Sequence, residues 1–284
     1  MMDYRYLRFP EGKGKAVTLS YDDGSIHDLR LSEIINCYGL KCTFNLNSDR
    51  LLSGKGLTVE QAKGLLADGH EVAVHGARHK APGLVSPIDG IRDVLVCREV
   101  LEQTFGRIIR GMAYPDSGIT RFCNESSYET VRSYLKDLGI VYSRTLGGDN
   151  DRFELPTDWF AWMPTAHHNN PQLAEYMEQF LTIDPDSGYC ARRYPRLFYL
   201  WGHSHEFHGH NNWDILEDIG KTLGGKDDIW YATNMEIYEY VTAYHSLVCS
   251  VDGKRAYNPT LIPVWFIDDA TTYCVKPGET LVIE

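Results

Sequence analysis

The chain has 284 residues, 43% of them hydrophobic and 24% charged, with a formal net charge of -11. That length suits one barrel-like α/β domain or two small ones, and the acidic balance argues against a nucleic acid or an anionic membrane as partner, because both demand clustered Lys and Arg. No apolar run is long enough to cross a bilayer, and residues 1–10 lack the apolar core and small-residue cleavage site of a secretory signal, so the reading is a cytoplasmic protein, or an extracytoplasmic one if a leader has been trimmed.

The stretch Lys15-Ala-Val-Thr-Leu-Ser-Tyr-Asp22-Asp23-Gly24 reads as an apolar strand, about residues 16–21, running into two adjacent carboxylates and a glycine. Strand side chains alternate between faces, so one carboxylate can be aimed into a cleft and the next slightly aside, one to bind a cation and the other to move protons. Residues 26–38 have helical spacing closed by Gly39, and 41–47 form a short strand. Thr58-Val-Glu-Gln61 is a capping-box pattern that opens a helix ending at Asp68-Gly69. Residues 71–74 form a third strand, which delivers His75-Gly-Ala-Arg-His79. A long helix follows over 87–105, a strand over 108–114 that stops at Pro115, a helix over 125–138 and a strand over 139–144. Residues 147–156 are a polar loop, and 159–165 give another strand leading to His167-His168. After a helix over 171–183, the strand 196–201 delivers Gly202-His203-Ser-His205-Glu206. A helix (213–223), a short strand (228–232) and a helix (234–247) complete the series. Strand and helix alternating at this period imply a parallel sheet with covering helices. From about residue 248 the texture changes to short β-like runs, which divides the chain into a main domain, 1–247, and a small β appendage packed on it, 248–284. The seven cysteines are odd in number and include no Cys-x-x-Cys, a pattern that suits a reduced chain better than a disulfide framework or a zinc-thiolate site.

Asp22-Asp23, His75/His79 and His203 all occupy the C-terminal end of a predicted parallel strand, the rim where catalytic residues from separate strands converge in α/β folds. His75 and His79 lie four apart, so one helical turn would set both imidazoles on one face and let them bite a single metal. Two His and one Asp make a three-ligand site with coordination left for water, the pattern of catalytic zinc.

Taken together, Thr18-Leu-Ser-Tyr-Asp22-Asp23-Gly24, His75-Gly-Ala-Arg-His79, Met112-Ala-Tyr-Pro115 and Leu200-Trp-Gly-His203 resemble the polysaccharide deacetylase family (carbohydrate esterase family 4, with nodulation-factor-deacetylase-like domains) over about residues 15–245. The resemblance implies a distorted, incomplete (β/α) barrel of about seven parallel strands. It also implies hydrolysis of N-acetyl or O-acetyl groups on a sugar or oligosaccharide with a divalent metal, zinc first, with cobalt, nickel or manganese as alternatives. Carried over position by position, Asp23, His75 and His79 hold the metal, Asp22 is the general base, His203 the general acid, and Leu200 lines an acetyl-methyl pocket. Tyr114, Pro115 and Trp201 join Leu200 as substrate-contacting residues, and Trp159 and Trp162 can serve as stacking faces or as core. The sequence departs from the family pattern where an arginine that orients the base is expected and Ala113 stands. Arg144, closing the following predicted strand, is the replacement: a guanidinium there can grip Asp22 in a rigid two-pronged contact. The orienter of His203 is unassigned, because Asp158-Trp159 only echoes the family's later Asp-Trp motif. His205, His208 and His210 read as a solvated polar loop. Two other functions use the same residues: a metal amidohydrolase of a small non-sugar amide, and a carbohydrate-binding domain with a decayed site.

Overall fold

The computed structural model describes residues 4–146, 150–187 and 193–284; Gly147 to Asp149 of the predicted polar loop, and Cys190, lie outside the described residues. A short strand, β1 (Arg5–Arg8), precedes β2 (Lys15–Asp22). Every residue of β2 is buried, as expected of a central parallel strand covered on both faces. Then come α1 (Asp28–Cys37), β3 (Cys42–Leu46), α2 (Ser48–Leu52), α3 (Val59–Ala67), β4 (Glu71–Val74), α4 (Pro87–Phe105), β5 (Gly111–Ala113), α5 (Tyr128–Asp137) and β6 (Tyr142–Arg144). The capping box opens α3, with Thr58 and Gln61 each satisfying the other's backbone N–H. The Ser86 side chain caps α4, Pro87 fills its first turn, and Gly106 ends it at φ 62°.

The second half holds β7 (Ala166–His167), α6 (Leu173–Thr182), β8 (Arg196–Gly202), α7 (Ser204–His210), α8 (Trp213–Leu223), β9 (Ile229–Tyr231) and α9 (Asn234–His245). Among the described residues, seven parallel strands run in the order β6-β5-β4-β3-β2-β8-β7, and β9 pairs with the first half of β2. The sheet curls into a distorted, incomplete (β/α) barrel. Its two edges are joined by one irregular segment: Trp162 N–H donates to Ser143 O at 3.1 Å, and three residues on, Thr165 N–H donates to Tyr199 O at 2.8 Å. Where a strand was predicted over 159–165, Trp159–Ala161 is a 3₁₀ turn and the extended chain that follows does the closing.

The last five strands, β10 (Val248–Cys249), β11 (Arg255–Tyr257), β12 (Val264–Asp268), β13 (Thr271–Val275) and β14 (Thr280–Val282), build two antiparallel sheets, β10-β11-β14 and β1-β12-β13. β1 therefore comes from the opposite end of the chain to pair with β12. Tyr240 of α9 fastens the junction, donating its hydroxyl to Arg8 O at 2.8 Å and accepting from Trp265 N–H at 2.9 Å. No helix among the described residues is long and apolar enough to cross a membrane.

Candidate active site

Strand register sets the rim. Asp22 at the end of β2 stands beside Asn45 of β3, Ala113 of β5 beside Arg144 of β6, and Tyr21 beside Gly202, the last residue of β8. His75 and His203 each follow their strand directly.

His75 and His79 meet, but not through a helical turn. Residues 75–80 form an irregular loop in which Gly76 (φ 72°) and His79 (φ 56°) both adopt left-handed backbone. A Cβ on Gly76 would lie 2.3 Å from Asp93 Oδ2, so only glycine lets the loop settle on α4, where the Asp93 carboxylate accepts Arg78 N–H at 3.0 Å. Asp23 is also left-handed, at φ 78°. Two of the three side chains predicted to hold metal thus sit in sparsely populated backbone regions, the kind of strain that collects at ligand clamps. The result is compact: His79 Nε2 lies 3.4 Å and His75 Nε2 3.7 Å from Asp23 Oδ1, and the donor atoms of the three residues all fall within 4.8 Å of one another.

The donor set fits a cation. His75 Nδ1 contacts the carbonyl oxygen of Ala113 at 2.9 Å; a carbonyl only accepts, so Nδ1 carries the proton and Nε2 is a bare lone pair. That Nε2 is buried and has no hydrogen-bond partner. It faces a carboxylate oxygen, an arrangement that is repulsive until a cation lies between them. Burial, outweighing the fields of Asp22 and Asp23, lowers the pKa of His75, which keeps the ring in the neutral form that metals bind.

Asp22 is built differently. It is 1% exposed and Arg144 0%. The Arg144 guanidinium donates through Nη2 to Asp22 Oδ2, Asn45 Nδ2 donates to Oδ1 at 2.8 Å, and the guanidinium lies over the Trp201 ring, 4.3 Å from its centre. Burial alone would raise the pKa of Asp22, but Arg144, His75 and His203 together hold it below the usual carboxylate range.

Across the site, His203 carries the orienter that the sequence left unassigned. α7 starts one residue later, so Glu206 lies one turn on, and its Oε1 sits 3.0 Å from His203 Nδ1. Burial disfavours the imidazolium, yet Glu206, Asp22 and Asp23 outweigh it and raise the pKa of His203. The other carboxylate oxygen of Glu206 lies 3.0 Å from His168 Nε2 and 3.3 Å from His167 Nε2. His168 packs against the backbone of Gly202, where a Cβ would lie 1.9 Å from the imidazole. Asp158 is engaged elsewhere, accepting from Tyr128 Oη at 2.6 Å and Phe160 N–H at 2.9 Å. His205, His208 and His210 are exposed as expected, but on helix α7 rather than in a loop.

Three of the predicted substrate contacts are corrected by burial. Tyr114 and Leu200 are 0% exposed, Pro115 is buried, and the Tyr114 hydroxyl donates to Phe160 O at 2.8 Å; all belong to the interior. Trp162 is core as well. Trp201 does reach a groove, which it lines with Leu146, His167, Asn169 and Gln172. Asp28 was not anticipated: it is wholly buried, accepts from the Ser204 hydroxyl, and burial, against that hydrogen bond, pushes its pKa up to about 8.

Residues 9–143, from β1's end through Ser143 of β6, match the family model for polysaccharide deacetylases. This first half of the chain carries the sequence pattern of the polysaccharide deacetylase family. Among solved structures it is similar to an allantoinase (12% identity, TM-score 0.60, 84% of this chain and 93% of that one). A Mycobacterium smegmatis protein assigned as a polysaccharide deacetylase shares 19% identity at a TM-score of 0.58, over 84% of this chain and 94% of that one. The chain spans 55% of the length of a Streptococcus pyogenes deacetylase, matched over 46% of this chain at 19% identity and a TM-score of 0.40. At such identities the first two speak to the fold alone. No curated protein matches the sequence. The family match ends one residue before Arg144 and well before His203 and Glu206, so the part of the site built on those three residues stands on geometry.

Proposed function

We propose that the chain is a metal-dependent hydrolase that removes acetyl groups from N-acetylated, or O-acetylated, carbohydrate. The observation that carries this reading is the bare, buried His75 Nε2 facing Asp23 and His79, with a buried carboxylate on one side and a raised-pKa imidazole on the other. Asp23, His75 and His79 would hold a divalent ion, zinc first, which when bound makes water more acidic and polarises the acetyl carbonyl. Asp22, ionised at neutral pH, takes the proton from the attacking water. Arg144 and Asn45 fix both of its oxygens, so it is held in one orientation as the proton moves. An amine leaves poorly until protonated, and His203, kept charged by Glu206, donates that proton from the opposite side. Trp201 supplies an aromatic wall beside the acid.

The same fold serves an allantoinase, so fold does not separate a carbohydrate amide from a small non-sugar amide. The deciding experiment is acetate release from N-acetylglucosamine oligomers, acetylated xylan and small acetamides, using chelated protein with zinc, cobalt, nickel or manganese added back. Activity should return with metal. Asp23→Asn should lose metal and activity together, and Asp22→Asn should keep the metal and lose rate, because a base is needed only when the proton moves. A protein that binds metal and turns over none of these compounds would instead be a binding domain.

A further inference from the structure

Beside Asp23 and His79 the site opens into a groove of about 1080 Å³, lined also by Asp49, Arg50, Lys55 and Arg78. On a chain of net charge -11, three cations in one groove call for an account. Arg78 has one: its Nε lies 3.3 Å from Asp93 Oδ1. Arg50 and Lys55 form no ion pair with any described residue.

Arg50 is also held in place. Its Nε is shut from water without an acceptor, because the turn after α2 folds down on the side chain. Lys55 N–H donates to Arg50 O at 3.3 Å and Leu57 N–H to Gly24 O at 2.9 Å. At Gly56 a Cβ would lie 2.1 Å from Gly24 O and 3.2 Å from Arg50 Nε, so the turn closes this tightly only with glycine there. A guanidinium pinned at its stem, half-buried and unpaired, is a pre-organised donor whose fork matches the two oxygens of a carboxylate or a phosphate. It lines this groove together with Asp23 and His79.

Resting on the deacetylase reading for the reaction itself, we infer that the acylated substrate carries an anionic oxyacid group, carboxylate or phosphate, which Arg50 grips in this groove with Lys55 adding to the field. The competing role for Arg50 is to offset the negative charge of Asp22 and Asp23, and the two roles part experimentally.

The test compares N-acetylglucosamine with its C6 carboxylate and its 6-phosphate, which differ only in the charge at one position. Calorimetry reads binding to the zinc-loaded and chelated 284-residue protein, and acetate release reads turnover, for wild type, Arg50→Met, Arg50→Lys and Lys55→Met. The expected result is that one of the anions binds wild type at least ~10-fold tighter than the neutral sugar. Arg50→Met should lose that preference through KM and binding, Arg50→Lys should keep part of it, and the neutral sugar should be almost unaffected. Which anion gains assigns the group. Equal binding of all three compounds would overturn the inference, as would an Arg50→Met variant that weakens all three alike and loses zinc, the signature of a charge-offsetting role. Anion binding that depends on Arg50 with no turnover of any compound would uphold the groove and sink the deacetylase reading. Turnover without charge preference would do the reverse.

Discussion

Replacing Arg144 by Met keeps most of its volume and removes its charge from a carboxylate that is 1% exposed. Removing one partner of a buried ion pair costs about 3–5 kcal/mol, because the remaining charge is stranded. Asn45 still donates at 2.8 Å, which argues for the lower end. At roughly 2.1 cal/mol/K of unfolding entropy per residue, a loss of about 3 kcal/mol lowers Tm by about 5 °C for a chain of this length. The pH dependence is the sharper readout. In the wild type the pKa of Asp22 is depressed, so its pairing stabilises the protein above the unfolded value and fades as pH falls through the folded one. In the variant burial is unopposed by Arg144, the folded pKa moves up, and a penalty grows as pH rises past about 4. The gap between the two proteins should therefore widen from pH 5 to pH 7.5. In kcat/KM the acid limb should move to higher pH by about 1–3 units, the usual effect of an opposite charge at contact distance. Thermal unfolding of chelated Arg144→Met, Asp22→Asn and the double variant closes the cycle. If the single effects add within about 0.5 kcal/mol, and the acid limb stays in place, Arg144 does not support Asp22.

His203→Ala should lower turnover by about 10² to 10⁴ and abolish the alkaline limb of the rate profile, while Glu206→Gln should shift that limb to lower pH by removing a carboxylate that raises the pKa of His203; a limb unmoved in both variants assigns the acid elsewhere. The folded pKa of Asp28, about 8, exceeds its unfolded value, so the wild type loses stability as pH climbs from about 4 toward 8. Asp28→Asn should match it near pH 4 and surpass it at pH 8, whereas an Asn variant less stable at pH 8 would mean that Asp28 is ionised in the fold.

The strands and helices that carry the site were readable because their signals are local. β4 and α4 fall where periodicity and caps put them, and the carboxylate pair, the histidines and Arg144 follow from which strand ends share a rim. What escaped was non-local or conformational. Left-handed backbone at Asp23 and His79 leaves no mark in composition, so the four-residue spacing suggested a helical turn that does not exist. β1 is silent because its partner lies some 260 positions away. Glu206 stood three residues after His203, the spacing of neighbours on a helix. Yet Ser204 to His210 offers only Phe207 as an apolar anchor, too little to announce α7. Tyr114 and Leu200 were set against substrate by residue type and motif position, and neither says which face of a strand meets the cleft.

Charge balance explains why Glu206 is needed at all. Asp22 and Asp23 bring two negative charges to the rim and Arg144 one positive. In the metal-free site both carboxylates therefore help keep His203 protonated, together with Glu206. A dication held by Asp23, His75 and His79 would reverse the local sign and oppose a proton on His203 instead. Glu206, on the far side of the imidazole and bonded to its Nδ1, is placed to keep His203 charged in the loaded protein. With zinc bound, the pKa of His203 followed by NMR titration should then be lower in Glu206→Gln than in the wild type. The same pKa in both proteins would mean that the carboxylates at the rim, rather than Glu206, govern His203.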